Sequence, residues 1–323
     1  MSRSFDAYRE LSGLIDGSVY CDELMARHTS YHIGGPADLF VECATLHDIT
    51  QTFKLLASYG MPWAIVGKGS NLLVSDDGFR GAVITLGSQF KGYIMPDVEQ
   101  DEHILVAGGG VLLSNLVQNA FKNGMTGLEF AVGVPGTLGG ATFMNAGTKD
   151  ACIGDVISHL TVIRPEAGLI RYDASELPWQ YRSSGLPIGD IVLEVAIKIE
   201  QGNIASIRAK MEAALNRRKA SQPLTQPSAG SVFKNPGGGL SAANMIDSLG
   251  LKGFSRGNAE VSTKHANFIV NTGDATAADV LDIIIEVQRR VEEEYGTELT
   301  PEIRFLGFQA QDTNAQPSGE GGK

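Results

Sequence analysis

Ala64-Ile-Val-Gly-Lys-Gly-Ser-Asn-Leu-Leu-Val74 places a glycine-rich loop between two short apolar runs. The runs 64–66 and 72–74 are typical of buried strands. A Gly-x-Gly-Ser-Asn turn that leaves a strand can offer backbone N–H groups, a serine hydroxyl and an asparagine amide to one phosphate. The loop lacks the spacing of a Walker phosphate loop and the third glycine of a Rossmann fingerprint. A glycine hairpin without a ligand is the alternative for this loop considered by itself.

Two further glycine-rich segments lie in the same half of the chain. Gly127–Gly147 includes Gly136-Thr-Leu-Gly-Gly140, whose only large side chain is Leu138, so a flat ligand can lie against its backbone. The other segment is Ala107-Gly-Gly-Gly110. Three such turns in one domain suit an extended cofactor with a pyrophosphate and a ring system. Three unrelated turns in a glycine-tolerant fold are the alternative.

Short apolar runs alternate with amphipathic segments through the first two-thirds of the chain. Apolar residues that recur with a helical period predict helices at residues 46–59, 112–123, 204–219 and 276–294. The first and last of these helices begin with Thr-x-x-Asp, which is typical of a capping box. We therefore predict an α+β domain over residues 1–202, a smaller α+β domain over 203–308 and a disordered tail over 309–323.

Composition and charge exclude several classes of protein. The net charge of −11 argues against a protein that binds nucleic-acid backbone over a broad face. The apolar fraction of 43% excludes disorder of the whole chain, and the sequence has no apolar run long enough to cross a membrane. Three cysteines without a CxxC pair and six histidines without an HExxH pattern predict neither a disulfide framework nor a metal site. We expect a cytoplasmic monomer with no membrane or nucleic-acid partner.

Three segments of the N-terminal half together carry a family resemblance. Ile33-Gly-Gly-Pro-Ala-Asp38, Gly67-Lys-Gly-Ser-Asn71 and Val134-Pro-Gly-Thr-Leu-Gly-Gly140 resemble the FAD-binding domain of the vanillyl-alcohol-oxidase and p-cresol-methylhydroxylase (PCMH) type. The resemblance implies two α+β subdomains, divided near residue 77, that hold FAD noncovalently between them. The cofactor-binding residues that it implies are Gly67, Lys68, Gly69, Ser70, Asn71, Gly110, Val134, Pro135, Gly136, Gly139, Gly140 and Ile191.

Four motifs in the second half of the chain make the resemblance specific to one family of FAD-binding proteins. In chain order they are Tyr181-Arg-Ser-Ser184, Ala229-Gly-Ser-Val-Phe-Lys-Asn-Pro236, Lys264-His-Ala-Asn-Phe-Ile-Val-Asn271 and Pro301-Glu-Ile-Arg304. From about residue 27 to 308 the chain resembles the UDP-N-acetylenolpyruvoylglucosamine reductase family. The short segment between Arg182 and Ile191 leaves no room for the substrate-capping loop of the longer form. The resemblance is therefore to the shorter subtype of that family.

This resemblance implies an NADPH-dependent flavoenzyme that reduces UDP-N-acetylglucosamine enolpyruvate to UDP-N-acetylmuramate. That reaction serves peptidoglycan synthesis and, through it, cell-wall biogenesis, cell shape and cell division. Hydride from reduced FAD adds to the enolpyruvyl carbon, while Ser231 supplies the proton and Arg182 and Glu302 stabilise the enolate. The smaller domain would bind the substrate. The residues that the resemblance assigns to this binding are Lys234, Asn235, Arg304 and Arg218.

The residue types alone leave plainer interpretations open. Ser231 can cap a turn, Arg182 can form an interdomain ion pair, and Glu302 can be an exposed residue of an edge strand. Arg218 can simply complement the C-terminal end of a helix dipole. His265 is expected to be a packed, hydrogen-bonded side chain. The alternative functions are a different FAD oxidase or dehydrogenase on the same scaffold, and a non-catalytic protein that binds flavin or a nucleotide sugar.

Overall fold

The structure, a computed structural model, describes residues 3–97 and 103–309. The elements of the first subdomain are α1 (Arg3–Leu11), β1 (Ser18–Leu24), β2 (Pro36–Cys43), α2 (Leu46–Ser58), β3 (Trp63–Ile65), β4 (Leu72–Val74) and β5 (Phe79–Leu86). Four of these strands form a sheet in the order β1-β2-β5-β3, in which β1 is antiparallel to β2 and the other neighbours are parallel. Both helices pack on this sheet, so that Leu11, Ile49 and Leu56 share a core with Leu39 and Ile84.

Helix α2 begins where the sequence predicts, because its first turn is capped. Thr45 Oγ1 accepts a hydrogen bond from Asp48 N at 3.2 Å, and the Asp48 carboxylate accepts from Thr45 N at 3.3 Å and Ala44 N at 2.8 Å. The predicted capping box is confirmed here and again at Thr276 and Asp279. Burial alone would raise the pKa of Asp48, but its hydrogen bonds outweigh burial and hold the pKa below its ordinary value.

The second subdomain is built on a five-stranded antiparallel sheet. Its elements are β6 (Tyr93–Ile94), β7 (Ile104–Gly108), α3 (Leu113–Lys122), β8 (Met125–Thr126), α4 (Leu138–Phe143), β9 (Ile157–Arg164), β10 (Gly168–Asp173), β11 (Ile191–Lys198), β12 (Glu200–Gln201) and α5 (Ile204–Ser221). The sheet order is β10-β9-β11-β7-β6, and β12 pairs with β8 alone. Helix α5 packs Ile207 and Met211 into the core of this subdomain, beside Leu160 and Val195. A domain boundary at residue 203 stays a prediction. The buried face of α5, which follows that residue, packs against the second subdomain, which precedes it.

The C-terminal part of the chain packs back onto the first subdomain. Its elements are α6 (Ala242–Ser248), β13 (Ser255–Arg256), β14 (Ala259–Val261), β15 (Ile269–Asn271), α7 (Ala277–Tyr295) and β16 (Arg304–Leu306). Strands β13, β14 and β15 form a small antiparallel sheet. Strand β16 pairs in parallel with β4, which places Arg304 opposite Leu72. The core of this part accordingly includes Tyr31, Ile33 and Leu73 from the first subdomain.

Polar contacts fix the junction between these two parts. The Asp76 carboxylate accepts from two backbone N–H groups in the first turn of α7, at 2.8 and 3.0 Å, so a residue that follows β4 caps α7. Arg304 N donates to Asn71 O at 2.9 Å, and Asn71 Nδ2 donates to Glu302 O at 3.1 Å. The glycine loop before β4 and the segment before β16 therefore lie side by side.

The four predicted helices are confirmed, each within about two residues of its predicted ends. Of the predicted tail over 309–323, all but the first residue lies outside the described residues. Within 3–97 and 103–309, no helix is long and apolar enough to cross a membrane.

Candidate active site

The two subdomains and the C-terminal part meet around a large cleft. The cleft has a volume of about 1850 Å³ and is lined by every predicted site residue except Lys234. It brings Arg182 of the second subdomain together with Ser231 and Glu302 of the C-terminal part. The roles assigned to these residues stay predictions. Because all three line one cleft, they face the same space for a ligand.

The Gly67–Asn71 loop forms part of the cleft wall, where its glycines allow other segments to approach closely. A Cβ atom at Gly67 would lie 2.5 Å from Thr137 Oγ1. Gly69 has a φ of 58°, and a Cβ atom there would overlap the carbonyl oxygen of His28. Side chains at these two positions would push the loop away from its neighbours, so the wall depends on glycine.

The 136–140 segment, whose backbone is predicted to face a flat ligand, leads into a short helix. It forms the first turn of α4, in which Thr137 Oγ1 accepts from Gly140 N at 3.3 Å and Leu138 is fully buried. Gly139 is needed for packing, because a Cβ atom there would lie 2.9 Å from Gly109 O. Gly136, Gly139 and Gly140 nevertheless line the cleft, so a ligand can reach this backbone.

An ion pair joins the second subdomain to the C-terminal part within the cleft. Arg182 Nε donates to Glu302 Oε1 at 2.6 Å, and the side chains are 21% and 12% exposed. Arg182 has a left-handed φ of 58°, and its Nη1 donates to Gly147 O at 3.3 Å. Its guanidinium carbon lies 5.1 Å from the centre of the Tyr181 ring. Arg182 Nη2 and Glu302 Oε2 form no hydrogen bond to any described residue, so both are left for a ligand.

Burial controls the charge of Glu302. It raises the pKa of this carboxyl group, while the positive charges of Arg182 and Lys234 oppose the shift without cancelling it. Lys234 therefore acts on the electrostatics of the site although its side chain does not line the cleft. A neutral Glu302 can donate a hydrogen bond from one carboxyl oxygen, whereas the ionised form can only accept.

Backbone contacts hold Ser231 beside Glu302. Glu302 N donates to Val232 O at 2.6 Å, and Val232 N donates to Asn267 O at 2.9 Å. Phe233 is 2% exposed and anchors this segment in the core. Among the residues that the structure describes, none forms a hydrogen bond with Ser231 Oγ, so the turn-capping interpretation finds no support. The hydroxyl belongs to the lining of the cleft.

Two predicted substrate residues, Arg218 and Arg304, are half-buried cations of the cleft. Burial lowers the pKa of both, and neither has an ion-pair partner within the described ranges. Arg304 Nη2 lies 3.7 Å from Met144 Sδ. Asn235 is exposed, and its Oδ1 accepts from Ala242 N at 3.1 Å. The two arginines therefore place unneutralised positive charge inside a protein of net charge −11.

Other cleft residues were not predicted or were only partly predicted. Asp190 is fully buried and accepts from Arg164 Nε and Nη2 at 2.6 and 2.9 Å, next to the predicted cofactor residue Ile191. His265 is hydrogen-bonded as expected, because its Nδ1 accepts from Asn267 N at 3.2 Å, but its ring also lines the cleft. Gln222 lines the cleft as well. Each depends on tertiary contacts, which leave no local pattern in the sequence.

Two α+β subdomains with glycine loops meet at a shared cleft and are followed by a third α+β part, and comparison with known proteins assigns this arrangement to an FAD-binding oxidoreductase. Residues 37–173 match the family model described as "FAD binding domain". Residues 222–306 match the model described as "UDP-N-acetylenolpyruvoylglucosamine reductase, C-terminal domain".

Relatives that match this chain over most of their length show its family. The chain is 45% identical to the UDP-N-acetylenolpyruvoylglucosamine reductase of Heliobacterium modesticaldum over 93% of each chain. It is 41% identical to that of Clostridium perfringens over 90% of this chain and 93% of the relative. The crystal structure of this reductase from Thermus caldophilus superposes with a TM-score of 0.77 at 36% identity, over 90% of this chain and 99% of that one. The chain belongs to the UDP-N-acetylenolpyruvoylglucosamine reductase family and is an FAD-dependent oxidoreductase.

The predicted fold class and cofactor are thereby confirmed. The cleft also fits FAD physically, because its volume is about 1850 Å³ and because Gly67, Gly69, Gly136, Gly139 and Gly140 line its wall with backbone that carries no side chains.

Replacing Gly69 by alanine is expected to lower the bound FAD by about tenfold or more, because the new Cβ atom overlaps His28 O and the left-handed backbone is unfavourable for alanine. The ratio of flavin to protein absorbance in the purified variant measures this loss. Gly250→Ala is the matched control, since Gly250 has a φ of 66° but no atom within 4 Å of the added Cβ. That control should keep its flavin, and a Gly69→Ala protein with one FAD per chain would contradict the proposed loop contact.

Proposed function

We propose that this chain uses NADPH to reduce UDP-N-acetylglucosamine enolpyruvate to UDP-N-acetylmuramate, a peptidoglycan precursor. The terminal enolpyruvyl carbon gains a hydride and its neighbour gains a proton, so one C=C bond is reduced as NADPH becomes NADP⁺. The observation that carries the proposal is the Arg182–Glu302 ion pair, 2.6 Å long, beside the unengaged hydroxyl of Ser231. These three groups share one cleft with the glycine loops of the FAD-binding domain.

The residues predicted to bind the cofactor provide two kinds of surface. Backbone N–H groups and the Ser70 hydroxyl of the Gly67–Asn71 loop suit a pyrophosphate. Asn71 uses one amide N–H to hold Glu302 O and so also ties this loop to the catalytic segment. The lining from Val134 to Gly140, with Gly110 and Ile191, suits a flat ring system. When bound, FAD supplies the hydride transfer between the two substrates.

Ser231 donates the proton in this mechanism. A serine hydroxyl is a poor acid toward water, but the carbon of an enolate is basic enough to accept its proton. Its Oγ has no competing hydrogen bond to a described residue, and the backbone bond of Val232 to Glu302 fixes its position. The position of the hydroxyl is thus set by the same segment that carries the carboxyl group.

Arg182 and Glu302 stabilise the negative charge that develops on the substrate carboxylate. The guanidinium cannot lose its proton, and its bonds to Glu302 and Gly147 leave Nη2 to face that charge. An ionised Glu302 would repel the enolate, so Glu302, which forms the ion pair in the structure, takes up a proton at this stage, acts in its neutral form and donates from Oε2. Burial raises the pKa of Glu302 above its ordinary value, which is the direction that favours this proton uptake.

The nucleotide parts of both substrates would contact the two half-buried arginines of the cleft. Arg218 and Arg304 offer positive charge without an internal partner in the described chain, which suits the phosphates of NADPH and of a UDP-linked sugar. Lys234 and Asn235 complete the proposed substrate set. Because all catalytic groups come from one chain, we place the activity in a monomer, and the nucleotide-linked substrate places it in the cytoplasm.

Anaerobic spectroscopy tests the proposed function directly. The purified protein is expected to be yellow, to be bleached by NADPH, and to regain its colour when UDP-N-acetylglucosamine enolpyruvate is added. Bleaching without recovery of colour by this substrate would favour a different FAD oxidoreductase. FAD-loaded protein that NADPH does not bleach would favour a binding protein without this catalysis.

A further inference from the structure

Backbone hydrogen bonds join three segments of the cleft wall at the point where β11 begins. Gly109 N donates to Leu193 O at 2.7 Å, and Gly139 N donates to Gly109 O at 2.8 Å. A Cβ atom at Gly109 would overlap Val192 O, so these two backbones are in direct contact. Gly109, Gly139 and Val192 all line the cleft. The position of the first residues of β11 therefore sets the position of both glycine segments.

Strand pairing by itself holds the start of β11 only weakly. The strand pairs with β9 at Ile191 and Val192, and the register then shifts between Val192 and Glu194. Such an irregularity leaves a residue unpaired and interrupts the ladder. On the other side of the strand, pairing with β7 begins at Glu194. Two residue pairs on one side are thus the strand pairing that fixes this part of the wall.

A buried ion pair lies directly beyond these two residue pairs. In the antiparallel register of β9 and β11, Asp190 and Arg164 are the next cross-strand neighbours. Arg164 Nε and Nη2 donate to the two carboxylate oxygens of Asp190 at 2.6 and 2.9 Å. Nη2 also donates to the hydroxyl of Tyr172 on β10 at 2.8 Å, which fixes the guanidinium. The two charged side chains therefore continue the ladder by one position.

The side chain of Asp190 lies behind the cleft wall. It has no exposed surface, and its partner Arg164 is not one of the described residues that line the cleft. Asp190 N donates to Pro187 O at 3.2 Å and closes a turn, in which Ile188 and Gly189 line the cleft. The charged groups therefore do not touch a ligand in the cleft and can act on it only through the backbone of the wall.

We propose that Asp190 and Arg164 are positioning residues for FAD, which hold the turn at 187–190 and the start of β11 in the geometry that binds the cofactor. This rests on the proposed cofactor contacts of Gly139, Gly140 and Ile191, and not on the proposed reaction. A buried ion pair contributes little net stability, because the loss of hydration offsets much of the attraction between its charges. We therefore assign this pair a role in the geometry of the wall.

Asp190→Asn tests the proposal, because the amide keeps the size of the side chain but offers one acceptor where the carboxylate offers two. Glu286→Gln is the matched control. Arg289 binds the Glu286 carboxylate through the same two atoms, Nε and Nη2, both at 2.9 Å, and neither residue lines the cleft. The FAD-loaded proteins are diluted, and the released FAD is measured by its fluorescence. Visible circular dichroism of the bound flavin and unfolding in urea are recorded with FAD in excess.

Asp190→Asn is expected to weaken FAD binding by about tenfold, because one of two charge-assisted hydrogen bonds behind the wall is lost. It should also change the visible circular dichroism of the flavin that stays bound, since the wall around the cofactor shifts. Glu286→Gln should change neither property. An Asp190→Asn protein with the FAD affinity and flavin spectrum of the control would overturn the proposal. A loss of resistance to urea with both properties unchanged would show a purely stabilising ion pair and would overturn it equally.

Arg164→Lys is a second variant, which keeps the charge opposite Asp190 and loses only the forked geometry of the guanidinium. It should weaken FAD binding by a smaller factor and change the flavin spectrum in the same direction. In the double variant the loss of affinity should be smaller than the product of the single losses, because both residues act through one contact. Losses that simply multiply would overturn the proposal.

Should Asp190→Asn fail to fold, Arg164→Lys decides by itself, and unchanged FAD affinity and flavin spectrum in that variant reject the proposal. None of these measurements needs NADPH or the enolpyruvyl substrate. A failure of the proposed function therefore shows separately, as missing recovery of colour with that substrate.

Discussion

Purified Ser231→Ala protein is expected to be bleached by NADPH at the rate of the unmodified enzyme and to recover its colour with the enolpyruvyl substrate about 10²–10⁴ times more slowly. The variant loses only the hydroxyl. The backbone bonds of Val232 to Glu302 and Asn267 do not involve the side chain, and Ser231 Oγ forms no hydrogen bond to the described residues. The loss should therefore fall on proton donation and not on the shape of the cleft. Anaerobic stopped-flow absorbance separates the two half-reactions.

Ser221→Ala is the control for this experiment. Ser221 lines the same cleft, but its hydroxyl donates to Arg217 O at 2.9 Å at the end of α5. Its removal should leave both half-reactions unchanged. Equal slowing of both half-reactions in Ser231→Ala would show that Ser231 has a structural role, and an unchanged rate of colour recovery would remove it from the mechanism.

Local signals predicted the secondary structure well because local forces determine it. The capping residues Thr45 and Thr276 and the apolar faces of α2 and α7 fix where these helices lie, whatever they later pack against. The pairing of β16 with β4 is different. The segment around residues 303–306 has the composition of a strand, but nothing near it in the sequence indicates that Arg304 will lie opposite Leu72. That register depends on contacts between distant parts of the chain.

In the candidate site, too, the sequence predicted what local motifs determine and missed what depends on contacts between distant residues. Motifs indicated which residues would gather in the cleft, and the interdomain ion pair that was one interpretation of Arg182 is present. The motifs did not indicate that its partner is Glu302, 120 positions away. Nor did they indicate that Lys234 acts on Glu302 by its charge while its side chain lies outside the lining. The ion pair of Asp190 with Arg164 could not be predicted either, since it depends on the register of β9 and β11 in the folded sheet.

Glu302→Gln is expected to slow the half-reaction with the enolpyruvyl substrate by about tenfold and to flatten its pH profile, because the amide keeps a hydrogen-bond donor but no longer titrates. In the unmodified enzyme, burial raises the pKa of Glu302 above its ordinary value of 4.5. The neutral, donating form is therefore present at low pH and is lost as the pH rises through the raised pKa. The rate of colour recovery is measured between pH 5 and 9 in both proteins, and we expect it to fall with rising pH only in the unmodified enzyme. An equal fall in both proteins would show that another group titrates.

Arg182→Gln should have a larger effect, a loss of about 10²–10³ in the rate of the same half-reaction, since it removes a permanent positive charge that faces the enolate in the proposed mechanism. It should also destabilise the fold by about 2 kcal/mol at neutral pH, because it leaves the carboxylate of Glu302 buried without its partner. A buried carboxyl group with a raised pKa contributes stability that is fully present below its unfolded pKa and is lost as the pH rises through its folded pKa. Without Arg182 that pKa rises further, so the variant should lose more stability between pH 5 and 8 than the unmodified protein.

Adding Glu302→Gln to Arg182→Gln removes the unpaired charge and should restore most of this stability without restoring activity. Urea unfolding of the unmodified protein, the two single variants and the double variant at pH 5 and at pH 8 completes a double-mutant cycle. If the losses in free energy of unfolding of the single variants simply add up in the double variant, the two side chains do not interact in solution.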